Sequence, residues 1–302
     1  MKIQSPRQPN RLPHWIRTKF PAVSTAAALR RRTYAQGLAT VCREARCPNQ
    51  GECSARGTAA FLILGDRCTR DCSFCAVRHG KPSPLRLEEP ELVAAAAASM
   101  RLTHVVVTSV TRDDLEDGGA EAFAATIRAV RETCPDTTIE VLIPDFLRDW
   151  SALGKVIDAR PEVINHNIET VPRLYPVVRR GASYERSVEL LERVHASGEG
   201  IVTKTGLMVG LGEDRAEVMS VICDIVRAHV ALLTIGQYLR PTPRHHPVDR
   251  YLPPQEFDEL RSLALAEGVG EVAAGPLVRS SYRAGWMFRQ ASRPANADDQ
   301  DS

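Results

Sequence analysis

Residues 59–75 read AAFLILGDRCTRDCSFC. The stretch from Ala59 to Leu64 is apolar at every position and too short for a helix. An uninterrupted apolar run of that length suits a parallel strand covered on both faces. Gly65 then breaks the run, and the loop beyond it carries Cys68, Cys72 and Cys75 with an aromatic residue, Phe74, before the last. Reactive side chains just past the carboxyl end of a buried strand point to an α/β layout, because in such folds the sites collect at that end of the sheet.

The same rhythm continues on the C-terminal side. Apolar or β-branched runs predict strands at Ala59–Leu64, His104–Thr108, Thr138–Leu142, Val163–Asn167, Val202–Val209 and Leu232–Gln237. Helical patterns lie between and after them: Pro90–Met100, Ala120–Cys134, Asp149–Ala159, Ser183–Ser197, Asp214–Ala228 and Pro254–Glu267. Pro90 and Pro254 suit first-turn positions, where a missing N–H costs nothing. Six strand–helix units with right-handed crossovers predict a partial (β/α)6 TIM-like barrel. A flat doubly wound sheet is the alternative. The Cys-rich stretch before the first strand forms an N-terminal extension, and the C-terminal segment is expected to cap the barrel mouth. The expected divisions are 1–57 (arm and Cys-rich motif), 58–268 (barrel) and 269–302 (C-terminal segment with a polar tail). The arm is expected to end in a short helix over Thr25–Arg32.

A chain of 302 residues with 43% hydrophobic and 25% charged residues reads as a globular protein. Its net charge of +2 gives no electrostatic case for nucleic acid. No apolar run reaches the roughly 20 residues that span a bilayer, and the first residues lack the apolar core of a secretory signal. A cytoplasmic protein is therefore expected. The alternative is a mitochondrial matrix protein, since no acidic residue precedes Glu44 while Lys2, Arg7, Arg11, Arg17, Lys19 and Arg30 to Arg32 do. That basic arm also suits docking to an acidic protein. Of the eight cysteines, six lie between Cys42 and Cys75. In a long chain without a secretory signal, this clustering favours a metal or cluster site over disulfides.

Cys68, Cys72 and Cys75 can hold three irons of a [4Fe–4S] cube and leave the fourth open to a further ligand. A Cys3His zinc site completed by His79 is the other reading, but it leaves the second triplet, Cys42, Cys47 and Cys53, unexplained. That triplet again lacks one ligand, which must come from elsewhere in the chain. Cys134 and Cys223 fall within expected helices and read as ordinary buried thiols.

The Cys68 triplet resembles the signature of radical S-adenosylmethionine enzymes. The longer text is similar to the lipoyl synthase family within them. The matching stretches are TVCREARCPNQGEC, GTAAFLILGDRCTRDCSFCAV, TSVTRDDLEDGGA, IEVLIPDF, NHNIETVPRLYPVVRRGASYERS, TKTGLMVGLGE, IGQYLRPTPRHHPV and GPLVRSSYRA, over about residues 40–285. Arg43, Ser54, Thr205 and Arg240 depart from the family's usual residues, and none of them removes a cysteine.

The resemblance implies two [4Fe–4S] clusters and S-adenosylmethionine. The Cys68, Cys72 and Cys75 cluster would donate an electron that cleaves the cofactor into a 5′-deoxyadenosyl radical. A second cluster on Cys42, Cys47 and Cys53, with a serine of RSSY as fourth ligand, would supply sulfur at C6 and C8 of a protein-bound octanoyl-lysine. Ser281 is taken over Ser280 from the family pattern, and an alkoxide suits an iron that must leave. Phe74 could pack on the adenine, or serve only as core. Thr108 and Ser109 end one strand and Asn167 and Glu169 follow another. Each could contact S-adenosylmethionine, or be spent on turn and strand-end bonding. Lys204 has no assigned role. The implied partners are octanoylated lipoyl-carrier domains (2-oxoacid dehydrogenase acyltransferase subunits and the glycine-cleavage H protein), an electron donor such as ferredoxin or flavodoxin, and a cluster-repair carrier.

Overall fold

The computed structural model describes residues 12–16, 38–44, 49, 52–53 and 58–292, with only the backbone of Cys42 and Arg43. The expected helix at Thr25–Arg32, Cys47 and the polar tail lie outside the described residues.

Its centre is one sheet of eight strands in the order β1 (Ala39–Thr40), β2 (Thr58–Ile63), β5 (His104–Ser109), β6 (Thr138–Leu142), β7 (Val163–Asn165), β8 (Val202–Val209), β9 (Leu232–Gln237) and β10 (Glu271–Gly275). From β2 to β10 every neighbouring pair is parallel, and only β1 runs antiparallel to β2. Two short strands, β3 (Arg67–Cys68) and β4 (Arg78–His79), make a separate pair around the Cys68 loop. Sequential order with a helix at each crossover is the topology of an open barrel.

The crossover helices are α1 (Glu89–Ser99), α2 (Ala120–Thr133), α3 (Trp150–Asp158), α4 (Tyr184–Ala196), α5 (Arg215–Arg227) and α6 (Pro254–Ala266). All six expected strand–helix units are present, and most boundaries move by one residue or less. The expected helix spans included their caps. Asp149 caps Ser151 and Ala152, Ser183 caps Arg186, and Asp214 forms a capping box with Glu217. Val163–Asn167 shortens to Val163–Asn165, because beyond it Glu169 takes φ 70° and rejoins β8 only through a single bridge to Leu207.

The sheet continues past residue 268, where the barrel was expected to end. Strand β10 pairs along its length with β9. Its sequence, EVAAG, is short and weakly β-forming, so pairing with β9 makes it a strand rather than propensity. The chain then turns back over the strand ends. A Cβ on Gly236 would stand 2.2 Å from the Val278 carbonyl oxygen, so only glycine admits the returning segment. That segment, expected to cap the mouth, therefore enters the barrel. It ends in α7 (Ala284–Ala291), where Ala284 and Met287 are fully buried. Met287 packs with Val163 and Leu232, the first residues of β7 and β9, so α7 closes the end opposite the mouth.

Apolar residues at alternate strand positions face the helices. Phe61 and Ile63, Val105 and Val107, and Ile139 and Val141 form one core with α1 to α3. Leu207, Leu233, Ile235 and Val272 form the other with α5 and α6. The intervening positions face the barrel interior, which leaves Glu140, Asn165, Lys204 and Thr234 inside it, all buried.

Candidate functional site

Past the carboxyl end of β2, the loop with Cys68, Cys72 and Cys75 is held from several sides. The Thr69 N–H and hydroxyl both donate to the Thr111 carbonyl at 3.0 Å. Arg70 sits between the first two cysteines and donates to Asp113 at 2.7 and 2.9 Å and to Asp145 at 2.6 Å. Ser73 donates to Val177 and Val178, while His245 donates through Nε2 to the Cys75 carbonyl at 2.9 Å. Strand-end residues from β5 and β6, and loops after β7 and β9, thus fix one short loop.

Burial pushes the Cys72 thiol up to about 12 and Cys75 up to about 11. Neighbouring thiols and Glu169 add to both effects, and Arg179 opposes the first. Cys72 and Cys75 in such surroundings resist ionising together unless a cationic group joins them. Among the described residues, no three His, Cys, Asp or Glu side chains gather as a group that could hold a single metal ion. The Cys68, Cys72 and Cys75 thiols are near enough to influence one another electrostatically. His79 is exposed and turned to Asp71 at 3.3 Å. A Cys3His zinc site is therefore not assembled.

Asn167 and Glu169 face the same loop. The Asn167 amide donates to Glu169 at 3.0 Å, while its Oδ1 is buried without a partner. The Ser109 hydroxyl at the end of β5 is likewise buried and unpartnered. Two orphaned polar atoms at strand ends fit a polar ligand that completes them. Burial raises the Glu169 carboxyl, against the pull of Arg179, Asn167 and Arg279. Gly206 gives this corner its room, since a Cβ there would stand 2.7 Å from Asn167 Oδ1. Thr108 differs, because its hydroxyl is spent on the Leu142 carbonyl at 2.9 Å. Phe74 is half-buried against the β8–β10 core.

Sequence reading missed the side chains that organise this corner. Arg179 donates to Ser187 at 2.8 Å and to the Tyr175 hydroxyl at 3.0 Å, and reaches His166 Nε2 at 3.3 Å. His166 donates through Nδ1 to the Ile143 carbonyl at 2.8 Å, so Nε2 is the acceptor. Burial and Arg179 lower the His166 pKa to about 3, which keeps the ring neutral. The signal for Arg179 was its place in VVRRGASYERS, but nothing local says which of two adjacent arginines turns inward.

A second site, a pocket, lies beside the amino-terminal half of β2. Its lining is Asn49, Cys53, Thr58, Ala60, Arg279, Ser281 and Tyr282. Ser281, rather than Ser280, therefore shares a pocket with Cys53. Of Cys42 only the backbone is described, in a helical turn over Val41–Glu44. Thr58 and Ala60 of β2 line this pocket, whereas the Cys68 loop follows the carboxyl end of the same strand. Arg279 lines the second pocket and also acts electrostatically on Glu169 of the first.

Residues 62–224 match the model of the Radical SAM superfamily. Among solved structures, SuiB from Streptococcus suis bound to its precursor peptide SuiA aligns with a TM-score of 0.56 at 9% identity, over 76% of this chain and 54% of that one. Coproporphyrinogen III oxidase (HemN) from Escherichia coli, described as a radical SAM enzyme, aligns with a TM-score of 0.50 at 15% identity, over 70% and 53%. The chain spans about half the length of these two, and the likeness shows the shared barrel. A curated lipoyl synthase from Desulfotalea psychrophila is 50% identical over 279 residues, covering 92% of this chain and 93% of that protein. The chain thus belongs to the lipoyl synthase family of radical S-adenosylmethionine enzymes.

Proposed function

We propose that this enzyme inserts two sulfur atoms, at C6 and C8, into a protein-bound octanoyl-lysine, and that its two pockets divide the work. The observation that carries the division is the pairing of Cys53 with Ser281 in a pocket separate from the Cys68 loop. When bound, a [4Fe–4S] cluster and S-adenosylmethionine supply the radical that removes hydrogen from an unactivated carbon. Cys68, Cys72 and Cys75 are the ligands of that cluster. Ser109 and Asn167 are positioned to orient the cofactor through buried polar atoms now unmatched, with Glu169, bonded to the Asn167 amide, and the apolar Phe74 as further contacts. The Thr108 hydroxyl donates to the Leu142 carbonyl, which leaves it only its acceptor side for the cofactor.

Cys53 and Ser281, which share the pocket beside β2, would hold an auxiliary cluster that supplies the sulfur, with Cys42 and Cys47 as its further ligands. A serine oxygen binds iron less tightly than a thiolate, which suits an iron that departs during turnover. The substrates are octanoylated lipoyl-carrier domains, with ferredoxin or flavodoxin as electron donor and a separate carrier renewing the spent cluster.

The test compares Cys72→Ala with Ser281→Ala. Cys72→Ala is expected to form no 5′-deoxyadenosine with dithionite. Ser281→Ala is expected to form it while making almost no lipoyl product. Wild-type 5′-deoxyadenosine from Cys72→Ala, or full lipoyl product from Ser281→Ala, refutes the division. Ser280→Ala is the control and is expected to be milder.

A further inference from the structure

The carboxylate of Glu52 accepts from the Tyr282 hydroxyl at 3.2 and 3.3 Å and from the Arg283 guanidinium at 3.2 and 3.4 Å. Each of these contacts spans about 230 residues of chain. Glu52 immediately precedes Cys53, and Tyr282 immediately follows Ser281. We propose that Glu52, Tyr282 and Arg283 are positioning residues that clamp the Cys53 turn to the segment carrying Ser281, and so bring the two side chains to one pocket.

The two sides of this clamp are unequal. On the C-terminal side, Arg283 opens α7 with a left-handed φ of 50°. A side chain bears that conformation only where its surroundings hold it, and here Glu52 and the Tyr282 ring, 5.2 Å from the guanidinium carbon, do so. The helix that follows is seated in the barrel floor by Ala284 and Met287. Gly285 lies so close to His104 that a Cβ would meet the His104 Cβ at 2.8 Å. The C-terminal partner is thus anchored to the sheet. On the N-terminal side, Glu52 and Cys53 form a brief turn closed by the Cys53 N–H on the Asn49 carbonyl at 3.0 Å. The Asn49 side chain in turn donates to the Leu277 carbonyl. The turn therefore takes its position from the anchored segment.

This inference rests on the reading that Cys53 and Ser281 are ligands of an auxiliary cluster. A group closed by residues from both chain ends keeps its fourth ligand only while those ends stay together. The clamp supplies that constraint from residues adjacent to the ligands, and no residue of the Cys68 loop takes part in it.

The experiment uses the full-length enzyme, reconstituted anaerobically with iron and sulfide, as wild type, Glu52→Gln, Tyr282→Phe, the double variant and Ser281→Ala. Iron release to a ferrous chelator, the Mössbauer spectrum and 5′-deoxyadenosine formation are recorded for each. In Glu52→Gln and Tyr282→Phe, about half of the iron is expected to leave several-fold faster than in wild type. The spectrum of that half is expected to change, with 5′-deoxyadenosine formation unaltered. The double variant is expected to release iron no faster than the faster single variant, since both break one clamp. Wild-type release and spectrum in both single variants overturns the clamp, and so does equal loss from both clusters. If Ser281→Ala also keeps the wild-type spectrum, the ligand reading fails. If only Ser281→Ala changes it, the clamp alone fails.

Discussion

Lys204 is fully buried in the barrel interior and donates to both oxygens of Glu140, at 2.8 and 3.0 Å. His104 faces the same carboxylate at 3.6 Å, and the Asn165 amide at 3.4 Å. Lys204 and His104 hold the Glu140 carboxyl below its ordinary range against the effect of burial. Removing one member of a buried pair strands the other, at about 3–5 kcal/mol. Lys204→Met is therefore expected to lower stability to denaturant by about that much, whereas Lys204→Met with Glu140→Leu should recover most of it; chemical denaturation of both checks this. Asp145 works differently, as an anchor of the Cys68 loop through Arg70. Burial would raise its pKa, but the Arg70 and Arg186 guanidiniums bring it down to about 2. A carboxyl depressed in the folded state stabilises it above the unfolded pKa of about 4 and loses that contribution as pH falls toward 2. Wild type should therefore lose about 2 kcal/mol over that window, and Asp145→Asn should show a flatter acid limb. An unchanged acid limb in Asp145→Asn would remove the anchor role.

Among the elements, β9 and β10 set the position of the C-terminal segment. Gly236 on β9 passes beneath Val278, and the returning chain fits only because no side chain stands there. Gly236→Ala must push Val278 outward or distort β9. The expected cost is about 1–3 kcal/mol, as for other overpacked sites. Because Val278 lies close in the chain to Ser281, the same substitution is expected to lower auxiliary iron while sparing 5′-deoxyadenosine formation. Iron analysis beside a thermal melt separates the two effects. Five of the six crossover helices were legible from their own start signals: Asp149, Ser183 and Asp214 as caps, and a leading proline in α1 and α6. Strand β10 and helix α7 were not, since EVAAG and AGWMFRQA lack such marks and owe their form to β9 and the barrel floor.

For the molecule as a whole, the pocket with Cys53 and Ser281 is lined by Thr58 and Ala60 of β2, and the Cys68 loop follows the other end of that strand. One chain end supplies the Cys53 turn and the other supplies Ser281. Disturbing either end should therefore affect the auxiliary site and spare the Cys68 loop. Cys53→Ala is expected to bind about half the wild-type iron when each cube holds four, with an unchanged circular dichroism spectrum. Loss of all iron would mean that the two sites depend on each other for folding.

Cysteine spacing, the apolar run before it and the repeated strand–helix rhythm were enough for the barrel and for the side of the sheet where the Cys68 loop lies. These are local features, written within about 20 residues and governed by hydrogen-bond periodicity and burial. Asn167 and Glu169 were legible as strand-end residues for the same reason. Sequence alone could not choose between Ser280 and Ser281, pair Glu52 with Tyr282 and Arg283, or turn Arg179 rather than Arg180 toward Cys72. Adjacent residues of one type carry equal local information, and contacts across 230 residues carry none. Only the closed sheet, with glycine at Gly236 admitting the returning chain and α7 seated on the floor, decided which side chains meet.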